Sequence, residues 1–283
     1  MGGKIINKYG LGHCMVLEGL INPITAEKHP WEMLFFGMIY SSLAIVISLL
    51  IFRPFASLVA IFLTVMASIP VMYGAIKMEE KRDLQVHESG KFVDKHGKIL
   101  LFFSFLFIGY LLSFTLWFLF LPDPLARELF EVQLGTIDNI NMPTGKAIDL
   151  ADPFILVFFN NVKVLVFCLL FALFYGFGAV FILTWNASVI SAAIGELAKS
   201  SQDLALSLPA AFLRYSLHGY IEVVGFFLGG LAGGIISVAI IRHDMGGNKF
   251  RAILADSANL VVTAILLLAV AALVEVYINP LVF

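Results

Sequence analysis

Charged side chains are scarce in this 283-residue chain: Asp, Glu, Lys and Arg make up 13% of it, against about a quarter of an ordinary soluble domain. That deficit excludes a soluble globular enzyme, because 60% of the residues are hydrophobic and too little polar material remains to furnish a water-facing surface. A surplus of one charge is lacking too. The 18 Lys and Arg against 20 Asp and Glu leave a formal charge of -2, which offers no basic face to nucleic acid. Cysteine is nearly absent: Cys14 lies in a polar N-terminal stretch and Cys168 inside an apolar run, so no disulfide is expected. Residues 1–31 lack the compact basic start, short apolar stretch and small-residue cleavage site of a signal peptide, so the first span is expected to stay in the mature protein.

What the chain has in abundance is apolar length. About 20 such residues span a hydrocarbon core of ~30 Å, and runs of that size recur at 33–52, 55–76, 99–121, 162–185, 218–241 and 256–279. The fold class is therefore all-α, a polytopic transmembrane helical bundle with six clear spans. Residues 187–208 are apolar at their start but short and polar for a lipid-facing helix, so they predict a short, protein-covered seventh crossing or a re-entrant segment.

Cytoplasmic loops carry an excess of Lys and Arg, and the 77–98 loop holds Lys77, Lys81, Arg82, Lys91, Lys95 and Lys98. It is placed inside, together with the tail bearing Lys4, Lys8 and Lys28 and the turn bearing Arg242, Lys249 and Arg251. The acidic 122–153 loop, with Asp123, Glu128, Glu131, Asp138, Asp149 and Asp152, and a tight turn at Arg53-Pro54 fall outside. Both basic loops can lie inside only if 187–208 crosses, which leaves the N-terminus cytoplasmic and the C-terminus external in the cell membrane. His87 and His96 read as solvated residues of the inner hairpin.

The richest segment in polar signals is RYSLHGYIEVVGFFLGGLAGG at 214–234. At ~100° per residue, Arg214, His218, Glu222, Gly225, Gly229 and Gly233 share one narrow helix face. Small residues at four-residue spacing let helices approach closely in lipid, so Gly225, Gly229 and Gly233 predict a helix contact with the ionisable groups on the same side. His218 and Glu222 could pair with each other at i,i+4 while Arg214 snorkels to the interface. They could instead serve as a proton relay or ion site, or as two ligands of a metal that would need a third. Asn160 and Asn161 open the span at 162, His218 and Glu222 lie in the first turns of the next long span, and Glu275 lies in the last turns of the final one. All five are expected in the external quarter of the membrane, converging on an outward-facing polar intramembrane pocket. Asn186 sits at the inner end after Trp185, suited to a cap or an unwound turn. Phosphate-binding glycine loops, Cys-xx-Cys pairs, Gly-x-Ser-x-Gly elbows and zinc-helix motifs are missing, so no catalytic residue, resident metal or cofactor is expected.

From about 154 to 280 the chain resembles the stage II sporulation protein M family of integral membrane proteins. The residues that carry the resemblance are Asn160-Asn161, Asn186-Ala187, Leu217-His218-Gly219 through Glu222, the basic turn Arg242 to Arg251, and Glu275. Leu217 stands where the family pattern has Pro, and Ala187 where it has Gly. On this basis residues 1–32 form a cytoplasmic tail, 33–98 an additional hairpin with a basic loop, and 99–283 the family-like membrane core. The resemblance implies a polytopic protein whose sporulation member works with cell-wall-cleaving partners. The expected function is a non-enzymatic scaffold or assembly partner in the lipid bilayer, acting with another membrane or external protein or with copies of itself. The alternative is a transporter or channel for a proton, cation or small polar solute.

Overall fold

The computed structural model describes residues 29–85, 92–141, 153–175, 179–201, 203–241 and 247–282. Among them there is no strand. The helices are α1 (Glu32–Ile51), α2 (Ala56–Gln85), α3 (Phe92–Phe120), α4 (Asp123–Leu129), α5 (Glu131–Asn141), α6 (Pro153–Tyr175), α7 (Ala179–Ser200), α8 (Leu204–Ile241) and α9 (Gly247–Leu273). α9 widens into a π-type turn at Val274–Ile278 and ends in α10 (Asn279–Val282). Seven of these stretches are long and apolar enough to cross a membrane.

α8 is the central post. It packs against α9, α6 and α7, and every residue from Gly225 to Ile235 is buried. A second group joins α1, α2 and α3, with α3 and α2 resting on α7. Between helices in lipid the tails are as apolar as the side chains, so close packing and interhelical hydrogen bonds must hold the bundle together. Both are present. α1 crosses α3 at Gly37 and Gly109, where a Cβ on Gly37 would sit 2.5 Å from the Leu106 carbonyl oxygen, closer than real side chains come. Phe227 of α8 lies between Phe103 and Phe107 of α3, with ring centroids 5.5 and 6.2 Å away. Buried hydroxyls and amides link helices: the Tyr110 hydroxyl donates to Ser68, Ser57 donates to Gln133 Oε1 at 2.7 Å, Gln133 Nε2 donates to Ser188 at 3.3 Å, and Ser191 donates to the Leu111 carbonyl at 2.9 Å.

One end of the bundle is fastened by ion pairs. Arg53, in the 3-10 turn Arg53–Phe55 between α1 and α2, holds Glu128 at 2.9 Å; Arg127 holds Glu196 at 2.8 Å; and Lys199 holds Asp123 at 2.7 Å. The α1–α2 turn, the α3–α4 connection and the end of α7 therefore share one level. Each pair is exposed and contributes little singly, but together they fix the direction of α7. α7 starts at the opposite end, and so does the end of α6 just before it.

This corrects the sequence-based boundaries in three places. The span expected at 162–185 is divided between two helices, α6 ending at Tyr175 and α7 beginning at Ala179. Apolar length cannot locate that division, because the run stays apolar through it; Gly176 and Gly178, poor helix formers, are the sequence signal. The seventh crossing is accordingly not a short one at 187–208 but a full-length span at Val180–Ser200. Its low hydropathy reflects small and hydroxyl residues packed against protein: Ala187, Ser188, Ser191, Ala192 and Ala198 are all buried. The stretch read as an acidic loop at 122–153 contains α4 and α5, along which Leu129, Gln133 and, between the two helices, Phe130 are buried. The third correction is His96, which is 3% exposed at the start of the third span and not solvated. His87, Cys14, the 1–28 tail and the turn at 242–246 lie outside the described residues.

Candidate functional site

The polar cluster is built where α6, α8 and the end of α9 meet. α8 runs unbroken through Leu217 and α7 through Ala187, so neither position bends; without the family's Pro and Gly the backbone simply continues. His218 and Glu222 therefore sit well inside a 38-residue helix that is ~57 Å long at 1.5 Å per residue, not in its first turns. Asn160 and Asn161 are likewise inside α6, two turns past Pro153. Beside His218, Gly219 faces Ile190, midway along α7. Hydropathy ends a span at the first ionisable group, whereas these groups are bonded within the bundle and let the helix continue.

His218 and Glu222 do not pair with each other; among the described residues neither a hydrogen bond nor an ion pair joins them. The Asn161 amide donates to Glu222 Oε1 across the α6–α8 contact. The Asn279 amide donates to the Arg214 carbonyl at 3.3 Å and lies 2.7 Å from His218 Nδ1. A carbonyl can only accept, so the Arg214 oxygen fixes which end of the Asn279 amide is nitrogen. His218 Nδ1 then accepts, and its ring proton belongs on Nε2. Asn279 Oδ1 is left buried without a partner.

Glu275, on the π-type turn, is part-buried and within electrostatic reach of Glu222. No hydrogen bond or ion pair engages it among the described residues. π-type turns re-aim side chains and recur at functional sites; here the turn carries one carboxylate toward another.

Not every sequence candidate joins the cluster. Asn160 is exposed on the outer face of α6. The Arg214 side chain is exposed, and its backbone carbonyl is the part that is hydrogen-bonded into the cluster. Asn186 donates to the Ile182 carbonyl of its own helix at 2.7 Å. The glycine stripe serves two neighbours, not one: Gly225 faces Leu268 of α9, while Gly229 faces Leu165 and Gly233 faces Leu169 and Ala172 of α6. Among the described residues no three His, Cys, Asp or Glu side chains gather as metal ligands. Sequence reasoning missed Asn279, although an amide one turn beyond Glu275 was a usable signal. It also missed the Ser57–Gln133–Ser188 chain.

An all-helical bundle with seven apolar crossings and a polar cluster bonded across three helices defines an integral membrane protein. The family model for stage II sporulation protein M matches residues 59–280, reaching back through α2 beyond the residues that carried the resemblance, and the chain belongs to that family. Among curated proteins and solved structures none matches.

Proposed function

We propose that the protein is a non-enzymatic scaffold or assembly partner of the cell membrane, with its N-terminus cytoplasmic and its C-terminus external. The observation that carries this reading is the pattern of bonds in the cluster. His218 and Glu222 of one helix are each held by an amide from a different element, Asn279 beyond α9 and Asn161 in α6. Bonds spent this way lock three helices into one body. What is left over is the part-buried Glu275 carboxylate, a group suited to a polar contact from another molecule, while the Asn279 carbonyl oxygen stays buried. The basic 77–98 segment and basic turn after α8 support the orientation.

The second reading, a transporter or channel for a proton, cation or small polar solute, is favoured by that same unengaged Glu275, since intramembrane ionisable groups are expensive and often functional. One experiment separates the two. Parent, Asn161→Leu, Glu222→Leu and the double variant are compared for thermal stability in detergent and for proton and cation flux in liposomes. A lock predicts no flux in any of them, destabilised single variants and a double variant recovered toward the parent, because a lone buried partner is worse than none. Flux in the parent that vanishes in a stably folded double variant refutes the scaffold.

A further inference from the structure

The end of α9 is weakly secured. No residue of the π-type turn Val274–Ile278 or of α10 is buried, and Pro280 brings no N–H to the last turn. Among the described residues, Asn279 makes the only side-chain hydrogen bonds that tie 274–282 to another helix, and both leave from one atom: Nδ2 meets the Arg214 carbonyl at 3.3 Å and His218 Nδ1 at 2.7 Å. That double contact holds only while both partners are acceptors. The carbonyl always is. The imidazole accepts at Nδ1 only when neutral, because imidazolium donates at both nitrogens.

Protonation of His218 therefore sets donor against donor at a contact of 2.7 Å. Turning the Asn279 amide over offers Oδ1 to the Nδ1 proton and relieves an oxygen that is otherwise buried without a donor, but it also opposes that oxygen to the Arg214 carbonyl. No single orientation of the amide keeps both bonds. Imidazole is the side chain that ordinarily changes charge between about pH 5 and pH 8. The charged groups around the ring are few. Arg214 and Glu222 stand one turn to either side on α8, the Arg214 side chain exposed. α9 runs antiparallel to α8, with Leu268 against Gly225 and Asn279 against Arg214. Glu275, four residues before Asn279, thus falls at the level of His218, four residues after Arg214, and continues the buried stripe of Leu260, Ala264, Leu268 and Ala271. α6 brings the neutral Asn161 amide, bonded to Glu222, while Lys163 is exposed on its other side; α7 brings Ile190 beside Gly219.

We propose that Asn279 and His218 form a pH-sensitive latch. With His218 neutral the amide fastens the end of α9 to α8; with His218 protonated that fastening is lost and the segment 274–282, Glu275 included, is released. The latch stands apart from the choice between scaffold and transporter, since it frees a helix end without requiring a solute to cross.

The full chain carrying Cys14→Ser and Leu281→Cys is spin-labelled at position 281, which is exposed, while the fully buried Cys168 stays unlabelled. It is reconstituted in nanodiscs and followed by electron paramagnetic resonance between about pH 8 and pH 5, with circular dichroism reporting the fold. The label is expected to be immobile at the alkaline end and mobile at the acid end, the ratio changing by at most ~tenfold per pH unit, the linkage limit for one proton. His218→Asn keeps an acceptor against Asn279 but takes up no proton, so its label stays immobile throughout. Asn279→Leu has no latch and is mobile at both ends. Glu275→Gln titrates as the parent does. A parent label that does not respond to pH overturns the proposal, as does a His218→Asn protein that responds like the parent. So does a response that Glu275→Gln abolishes, which assigns the proton to Glu275 instead. Should Asn279→Leu fail to fold, Asn279→Asp decides in its place: its carboxylate accepts the Nδ1 proton, so its label is held at the acid end and released at the alkaline end, and a label that behaves as the parent's does overturns the latch.

Discussion

Replacing Gly233 by Ala tests whether the α6–α8 contact is set by backbone approach. In an isolated helix the change is favourable by ~1 kcal/mol, because glycine has more conformational freedom to lose. In the bundle a Cβ on Gly233 would overlap the Leu169 carbonyl oxygen and come within 2.9 Å of the Ala172 Cβ and 3.0 Å of the Leu173 amide nitrogen. These are backbone atoms and a Cβ, so no rotamer change relieves them and α6 itself must move. Overpacking of this kind costs ~1–3 kcal/mol, and a shift of α6 also stretches the Asn161–Glu222 bond. The net expectation is a loss of ~1–2 kcal/mol. Gly219 is the control on the same helix. There the nearest atom to an added Cβ is Ile190 Cδ1 at 3.4 Å, an ordinary contact, so Ala should stabilise by ~0.5–1 kcal/mol. The pair should differ by about 2 kcal/mol, taking the two estimates together. Equilibrium unfolding in mixed micelles, with far-ultraviolet circular dichroism as readout, measures the difference. A Gly233→Ala protein as stable as Gly219→Ala would refute a contact limited by backbone approach.

Gln133→Leu removes the acceptor of the buried Ser57 hydroxyl, while Ser188 keeps its bond to the Trp185 carbonyl, and should lower stability by about 1–3 kcal/mol in the same assay; an unchanged midpoint would count against the buried chain. At the exposed cap, hydrogen bonding and charge from Lys199 hold the Asp123 carboxyl below its usual value of 3.8. A depressed folded value means that the contribution is present above 3.8 and lost as pH falls through the folded value. Between about pH 5 and pH 3 the parent should therefore lose more stability than Lys199→Met, and parallel curves would contradict the ion pair. Cysteines introduced at Gly135 and Gly247 should be labelled by an impermeant maleimide from opposite sides, Gly135 in intact cells and Gly247 only after permeabilisation; the reverse pattern would invert the topology.

The number and character of the crossings were legible because the membrane imposes a length on an apolar helix, and that length survives any detail of packing. The boundaries were less so. At 153–200 one apolar stretch holds two helices, and the segment that crosses last has the smallest and most hydroxylated side chains, since its neighbours are α3, α5 and α8 more than lipid. Hydropathy measures preference for lipid and under-reads a helix buried in protein. The charges of α4 and α5 pointed to a water-facing loop, yet the aliphatic and aromatic residues between them, Leu129 and Phe130, pull the segment back onto the bundle as two short helices.

The site was legible as a set of residue types and misread as a set of partners. Helical periodicity places His218 and Glu222 on one face correctly, but an i,i+4 spacing says only that two side chains are neighbours, not that they bond. In lipid a bond across helices secures more than one along a helix, because it satisfies a polar group and fixes a neighbour at once. Asn161 and Asn279 supply such bonds, and each draws one member of the expected pair away from the other. Lys163 shows the same dependence of meaning on position. Its charge is plain in the sequence, but whether it is an interfacial anchor or a mid-span cation turns on where α6 begins. Moving that start back to Pro153 converts an unremarkable lysine into the midpoint of a span. The placement of a boundary, more than the identity of a residue, decides which side chains in such a bundle require a partner.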